Sequence, residues 1–421
     1  MEPKIPAPYV VQPLAPGQHD AAMDTVWRAF GWGQRRAAAD EVIAARAIEI
    51  DRTLVAVDTT AEDGHVVGTT STYSLTMTLP GGAQAPVAGV WMVSVDPTHR
   101  RRGVQSALLH HQLRQFAADG ESISALWTTE APLYQRFGYG LATWRSRIEV
   151  DLAHAVFTPR ATALAASSGA QLRLMSLEQA LPHLVGIHEK QATTRPGTLA
   201  RDERRWQQLL GDDDGPAAEL VVAIGPAGAT GYAAYRLREG APAAVPTGEV
   251  AVQEISALDA ATHAQLWRFL LDTDLRRTLT CSSRPLPDPL AHLLSDHRRM
   301  DARVDDALWV RLVDLPTALS MRAYSRDVDV VVEVEDDLLP ANAGRWRVTV
   351  ADDGQRAQIT RSDRAPDLSM DVSDLGAAHF GATTLADLAR AGRVIELKTG
   401  ALAAASAAWG WPTTPDAQEI F

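Results

Sequence analysis

The stretch Val93–Ser106, VSVDPTHRRRGVQS, decides how this chain is read. An apolar strand ends at Asp96-Pro97, a short loop carries Arg100, Arg101 and Arg102, and a helix opens at Gly103. Amide N–H groups in the first turn of a helix lack intrahelical partners and point outward, so such a terminus is an anion site. Gly103 lets a bulky anion approach the backbone. Guanidinium groups add charge and meet phosphate oxygens in pairs. A pyrophosphate is the ligand this arrangement predicts; the alternative is a solvated basic loop capping a helix.

The helix after Gly103 carries Val104, Leu108, Leu109, Leu113, Phe116 and Ala117 on one stripe and stops near Gly120. Before it, Val66–Leu79 and Val87–Val95 read as strands joined at Pro80-Gly81-Gly82, a hairpin. A helix from Ala21 and a short strand at Thr53–Val57 precede them, and Ile123–Thr129 is a further strand. The same order returns with Leu220–Ile224, Gly231–Leu237, Gly248–Asp259 and a helix holding Leu266, Phe269 and Leu270. A duplicated unit is expected. The second copy reads AATHAQLW at Ala260–Trp267, with neither arginine run nor glycine, so the anion site is expected to be lost there. Arg276 to Val304 reads as a Pro- and charge-rich connection with one helix, Leu290–Leu294. A third unit starts near Asp305. Its strands are Asp329–Glu335, Arg345–Ala351, Arg356–Arg361 and Asp367–Ser373, and its helices Leu375–Phe380, Leu385–Ala391 and Leu402–Trp409. Strands followed by helices predict an α+β layer.

Composition bounds the function. The 421 residues are 46% hydrophobic and 22% charged, a folded globular profile that makes two to four domains the expectation. No apolar run approaches the ~18 residues of a membrane span, and Met1–Val11 lacks the pattern of a signal peptide. Cys281 is the single cysteine, which excludes an intrachain disulfide or a cysteine-based zinc site and points to a reducing cytoplasm. His110-His111 and the His183–Glu189 stretch lack metal-ligand spacing, so no metal is expected. A net charge of −12 argues against nucleic acid as a partner; on its own it reads first as simple solubility, and attraction of a cationic substrate is the alternative.

The loop resembles the acetyl-CoA motif of the GNAT superfamily of N-acetyltransferases, R/Q-x-x-G-x-G/A, here Arg100-Arg101-Arg102-Gly103-Val104-Gln105, with Gln105 at the usually small last position. A second stretch, ALWTTEAPLYQRFGYG at Ala125–Gly140, sets Tyr134 and Tyr139 around Arg136-Phe137-Gly138. Paired with THRRRG, it looks like the Eis (enhanced intracellular survival) family, multi-site acetyltransferases of aminoglycosides and related amines. The resemblance implies an α+β chain of two fused GNAT-type acetyltransferase-like domains, the second degenerate, and a C-terminal sterol-carrier-like domain. The expected boundaries are 1–158, 159–304 and 305–421.

The same resemblance implies acetyl-CoA as cosubstrate, a small cationic amine as acceptor, antibiotic resistance as an outcome and a homohexamer. Tyr134 would be the general acid that reprotonates the CoA thiolate, and the carboxylate of Phe421 the base. Acyl-CoA contacts would come from Val93, Ser94, Val95, Arg101, Arg102, Gly103, Val104, Gln105, Ser106, Thr129 and Glu130. The substrate wall would include Trp32, Met92, Trp127 and Glu419. Acetylation of peptide or protein lysines, a non-catalytic acyl-CoA or drug-binding protein, and a lipid carrier led by the third unit stay open as alternatives.

Overall fold

The computed structural model describes residues 8–31, 48–61, 65–211, 217–241, 247–351, 356–416 and 419–421. Three sheets organise them. The first holds, in spatial order, Tyr9–Pro13, Leu54–Asp58, His65–Thr78, Gln84–Val95, Ile123–Leu126, Trp309–Leu312 and Gly140–Leu141. The second runs Met300–Asp306, Trp144–Asp151, Arg276–Pro285, Gly248–Ala257, Gly228–Arg238, Glu219–Gly225 and Gln171–Met175. The third runs Arg356–Arg361, Gly344–Ala351, Val328–Glu335, Leu368–Asp371 and Ile395–Glu396.

The expected hairpin is present as His65–Thr78 against Gln84–Val95. The helix after Gly103 spans Val104–Ala118 and buries Val104, Leu108, Leu109, Leu113 and Phe116 against the first sheet. It comes close because Gly68 lies beneath it: a Cβ there would stand 2.9 Å from Val104 Cγ1. The second copy repeats this contact. A Cβ on Gly231 would stand 2.7 Å from Thr262 Cγ2, in the helix Ala260–Leu271. The duplication is thus visible in packing as well as in order.

The sheets do not divide at single points of the chain. Trp144–Asp151, ahead of position 158, pairs in the second sheet with Arg276–Pro285 and Met300–Asp306. Trp309–Leu312, beyond position 304, pairs in the first sheet with Ile123–Leu126 and Gly140–Leu141. One core joins Met77, Val87 and Val310 of the first sheet to Leu319, Val330 and Val348, so the third unit covers a face of the first.

Two expectations need correction. Arg276–Val304, read as a connection, contains the strands Arg276–Pro285 and most of Met300–Asp306. Their charges hid them: Met300–Asp306 is an exposed edge strand, where charge is tolerated and blocks further pairing. The strand at Asp367–Ser373 stops at Asp371, whose carboxylate accepts from the Ser373 amide (2.8 Å) and caps the helix Val372–Ala378. No helix among the described residues is long and apolar enough to cross a membrane.

Candidate active site

Two strands part at the centre of the first sheet. Gln84–Val95 runs parallel to Ile123–Leu126 only through the pairs Ala88–Ser124, Gly89–Ala125 and Val90–Leu126. From Trp91 to Val95 that edge has no ladder partner among the described residues, so its amides and carbonyls are available to an extended ligand. The opposite edge is bulged there. Thr69 faces Ser94 while Ser71 faces Trp91, so Met92 and Val93 together oppose Thr70. Met92 has φ 51. Thr69 holds the bulge, its hydroxyl donating to the Met92 carbonyl (2.8 Å) and lying 2.7 Å from the Ser94 hydroxyl. The Ser94 side chain is therefore committed inward, and the ligand-facing groups of Val93–Val95 are backbone.

The strand leads into the arginine loop. Asp96 accepts from the Thr98 amide (3.0 Å) and pairs with Arg28 (3.2 Å), which fixes the turn. Arg100 donates to the Ala29 carbonyl (2.9 Å), and Arg102 to the Tyr9 hydroxyl (3.3 Å). Arg101, exposed and at φ 62, has no protein partner among the described residues. Gly103 is left-handed, φ 83, and the helix behind it has no side-chain cap. Four features coincide: unpaired amides, a free guanidinium, a glycine and an open strand edge. They fit a pyrophosphate with an extended arm. Val104 points into the core, so only its amide can face a ligand, while Gln105 and Ser106 are half-buried on the first turn. The second copy is closed at the same place. Asp259 caps the helix Ala260–Leu271, accepting from the Thr262 amide (2.8 Å), and puts a carboxylate where an anion would sit.

Beyond Ile123–Leu126, Thr129 and Glu130 are exposed and a tight double turn carries Tyr134. Tyr134 is buried in a cluster with Ala88, Val90 and Phe137, and its hydroxyl has no protein partner among the described residues. Burial, reinforced by the charge of Glu130, pushes its phenol up to about 12. Tyr139 differs. Its hydroxyl lies 2.8 Å from that of Ser124, which donates onward to the Ala88 carbonyl (3.0 Å), so it is a satisfied core group.

The other face of Gln84–Val95 meets the end of the chain. A Cβ on Gly89 would stand 3.0 Å from Phe421 Cε2, so the phenyl ring lies over that glycine. A small cavity beside it is lined by Met77, Trp127, Leu199, Leu308, Glu419 and Phe421. The indole N–H of Trp127 is buried there without a partner among the described residues, and Arg145 covers the ring at 5.3 Å. Met92 sits deeper, in an apolar group with Met23 and Val26. Trp32 lies outside the described residues.

Glu419, expected on a substrate wall, lines that cavity and is engaged by Arg201 (2.7 Å) and Arg205 (2.5 Å). Burial opposes its ionisation, but the two guanidinium groups outweigh it and hold the carboxyl below its ordinary value. Sequence reasoning missed Gly89, Arg201 and Arg205. Only Gly89 left a trace, a glycine inside a strand, which signals a close approach.

A parting strand that feeds an arginine loop and an uncapped helix defines an acetyltransferase of the GNAT type. Residues 10–142 and 197–312 each match an acetyltransferase (GNAT) domain family, and 315–416 match the sterol carrier protein domain family. The chain is 39% identical over 398 residues to an uncharacterized N-acetyltransferase of Streptomyces avermitilis, covering 93% of this chain and 94% of that one. It is 32% identical over 355 residues to N-acetyltransferase Eis of Mycobacterium tuberculosis, covering 82% and 84%. The crystal structure of Eis1 from Mycobacterium abscessus superposes with a TM-score of 0.80 at 32% identity, over 98% of this chain and all of that one. The chain belongs to the Eis family of GNAT N-acetyltransferases.

Proposed function

We propose that this enzyme transfers acetyl from acetyl-CoA to cationic polyamines, aminoglycosides among them and at more than one amine, by direct attack of the amine on the thioester. In this reading Val93–Val95, Arg101–Ser106, Thr129 and Glu130 bind acetyl-CoA, and Met92, Trp127 and Glu419 line the acceptor side. The unit 1–158 binds the acyl donor, 159–304 is degenerate, and 305–421 brings the chain end to the site. A cytoplasmic homohexamer is the assembly we expect from the family.

One observation carries the reading. Tyr134 and Phe421 flank, from opposite faces, the strand that parts from its neighbour. Tyr134 then stands on one side of the thioester as acid, and the Phe421 carboxylate on the other as base for the attacking ammonium. A phenol raised to about 12 is fully protonated at neutral pH, so its proton is always present to meet negative charge developing on sulfur. Cys281 offers no covalent route: it is buried in the second sheet, and burial lifts its thiol to about 11. Thiol release from acetyl-CoA, measured against aminoglycosides, simple polyamines and lysine peptides, tests the reading. Release with polycationic amines and none with peptides is expected. Release with lysine peptides alone would move the assignment to protein acetylation.

A further inference from the structure

The chain end is held by a buried network of charges supplied by the second acetyltransferase-like unit. Arg201 lies between two carboxylates, Glu254 (3.0 Å) and Glu419 (2.7 Å), and stacks on Trp206 at 4.5 Å. The Tyr232 hydroxyl donates to Glu254 (2.7 Å) and completes that side. Arg205, on the helix Glu203–Leu210, donates through Nε to Glu419 (2.5 Å) and through Nη2 to the Ile420 carbonyl (2.9 Å). Upstream, the Asp416 amide donates to the Pro196 carbonyl (2.7 Å). The segment that makes this contact is itself fastened to the first sheet, for the Gly197 amide donates to Thr78 (2.8 Å) and the Ala200 amide to Thr76 (2.8 Å). The tail is thus gripped at Asp416 and again at Glu419–Ile420. A single residue follows the second grip, and one residue spans at most ~3.3–3.6 Å.

We infer that Arg205 and Arg201, acting through Glu419 and the Ile420 carbonyl, are positioning residues for the Phe421 carboxylate. The copy that lost its own anion loop then serves the reaction of the first copy by aiming its base. This rests on the reading of Phe421 as the base. Arg205 is the better probe, because it stands outside the Arg201–Glu254–Tyr232 group and its loss leaves that group paired. In the full chain, Arg205→Gln is expected to lower kcat roughly ten- to hundredfold, as a misplacement of about 1 Å does. The KM for acetyl-CoA stays unchanged. Carboxypeptidase A should also release Phe421 faster from this variant than from the parent, and Arg205→Lys should recover part of the lost kcat. A merely structural role would lower the melting temperature and both kinetic constants together, and would overturn the inference. So would full kcat in a variant whose Phe421 is released quickly. A chain ending at Ile420 separates the two readings. If it keeps full turnover, the base assignment itself is wrong; if it is inactive while Arg205→Gln keeps full kcat, only the positioning role is lost.

Discussion

Tyr134 and Phe421 lie on opposite faces of the strand Gln84–Val95. Tyr134 clusters with Ala88 and Val90, whereas the Phe421 ring covers Gly89, and successive residues of a strand alternate between faces. The parallel pairing to Ile123–Leu126 ends at Val90, so both groups meet the sheet where it opens. A thioester threaded through that opening has a different group on each side of its carbonyl. In the proposed mechanism the sheet itself thereby keeps acid and base apart, and neither can neutralise the other.

In the proposed reading the arginine loop should set affinity for the acyl donor. Arg101→Ala removes the one guanidinium of the three with no protein partner among the described residues, and a charged hydrogen bond is worth ~1.5–3 kcal/mol. Acetyl-CoA binding should weaken about ten- to hundredfold in calorimetry. Gly103→Val forces a side chain into left-handed backbone at φ 83, a strain of about 1–2 kcal/mol, and crowds the anion. Unchanged affinity in both variants would remove the pyrophosphate from this loop.

The two tyrosines should separate cleanly. Tyr134→Phe leaves the core filled and removes only an unpartnered hydroxyl, so stability holds while kcat falls by ~10²–10⁴. Tyr139→Phe removes the bond to the Ser124 hydroxyl, which keeps its own bond to the Ala88 carbonyl, and should cost about 1 kcal/mol of stability with little change in kcat. Denaturant melts beside steady-state rates measure both. The assignment fails if Tyr139→Phe is the slower enzyme.

A residue added after Phe421 moves the terminal charge by ~3.3–3.6 Å, beyond the ~2.6–3.2 Å reach of proton transfer. A C-terminal tag or deletion of Phe421 should therefore abolish acetylation while acetyl-CoA still binds, and an N-terminal tag should do nothing. Full turnover by the C-terminally tagged enzyme on a confirmed amine would take the carboxylate out of the mechanism.

Glu419 predicts a pH signature. Its folded value lies below the ordinary 4.5, so its contribution is fully present above pH 4.5 and is lost as pH falls through the folded value. Breaking a buried pair costs about 3–5 kcal/mol. The melting temperatures of the parent and Glu419→Gln should differ most above pH 4.5 and converge below it. Parallel curves across the whole range would mean that the carboxylate is not held by Arg201 and Arg205.

What the sequence revealed follows the distance between interacting residues. The anion loop was legible because strand end, arginines, glycine and helix start are consecutive, so local chemistry alone specifies it. The duplication was legible because strand and helix order repeats. The tail clamp was not, since Arg201 and Arg205 stand more than two hundred residues before Glu419 and no periodicity links them. The strand Trp309–Leu312 was missed for a related reason. Four residues are too few for a pattern, and their partners come from Ile123–Leu126 and Gly140–Leu141.

That strand also has a consequence for synthesis. Ile123–Leu126 leaves the ribosome long before Trp309–Leu312, and at ~5–20 residues per second the delay is about 10–40 s. Throughout it, the edge of Ile123–Leu126 that will take Trp309–Leu312 stays open to any other strand that comes near. The second sheet already has its last strand, Met300–Asp306, when the first still waits for its own. The acetyltransferase half that is translated first is therefore the one completed later, and its sheet keeps an unpaired edge for longer than the other during synthesis.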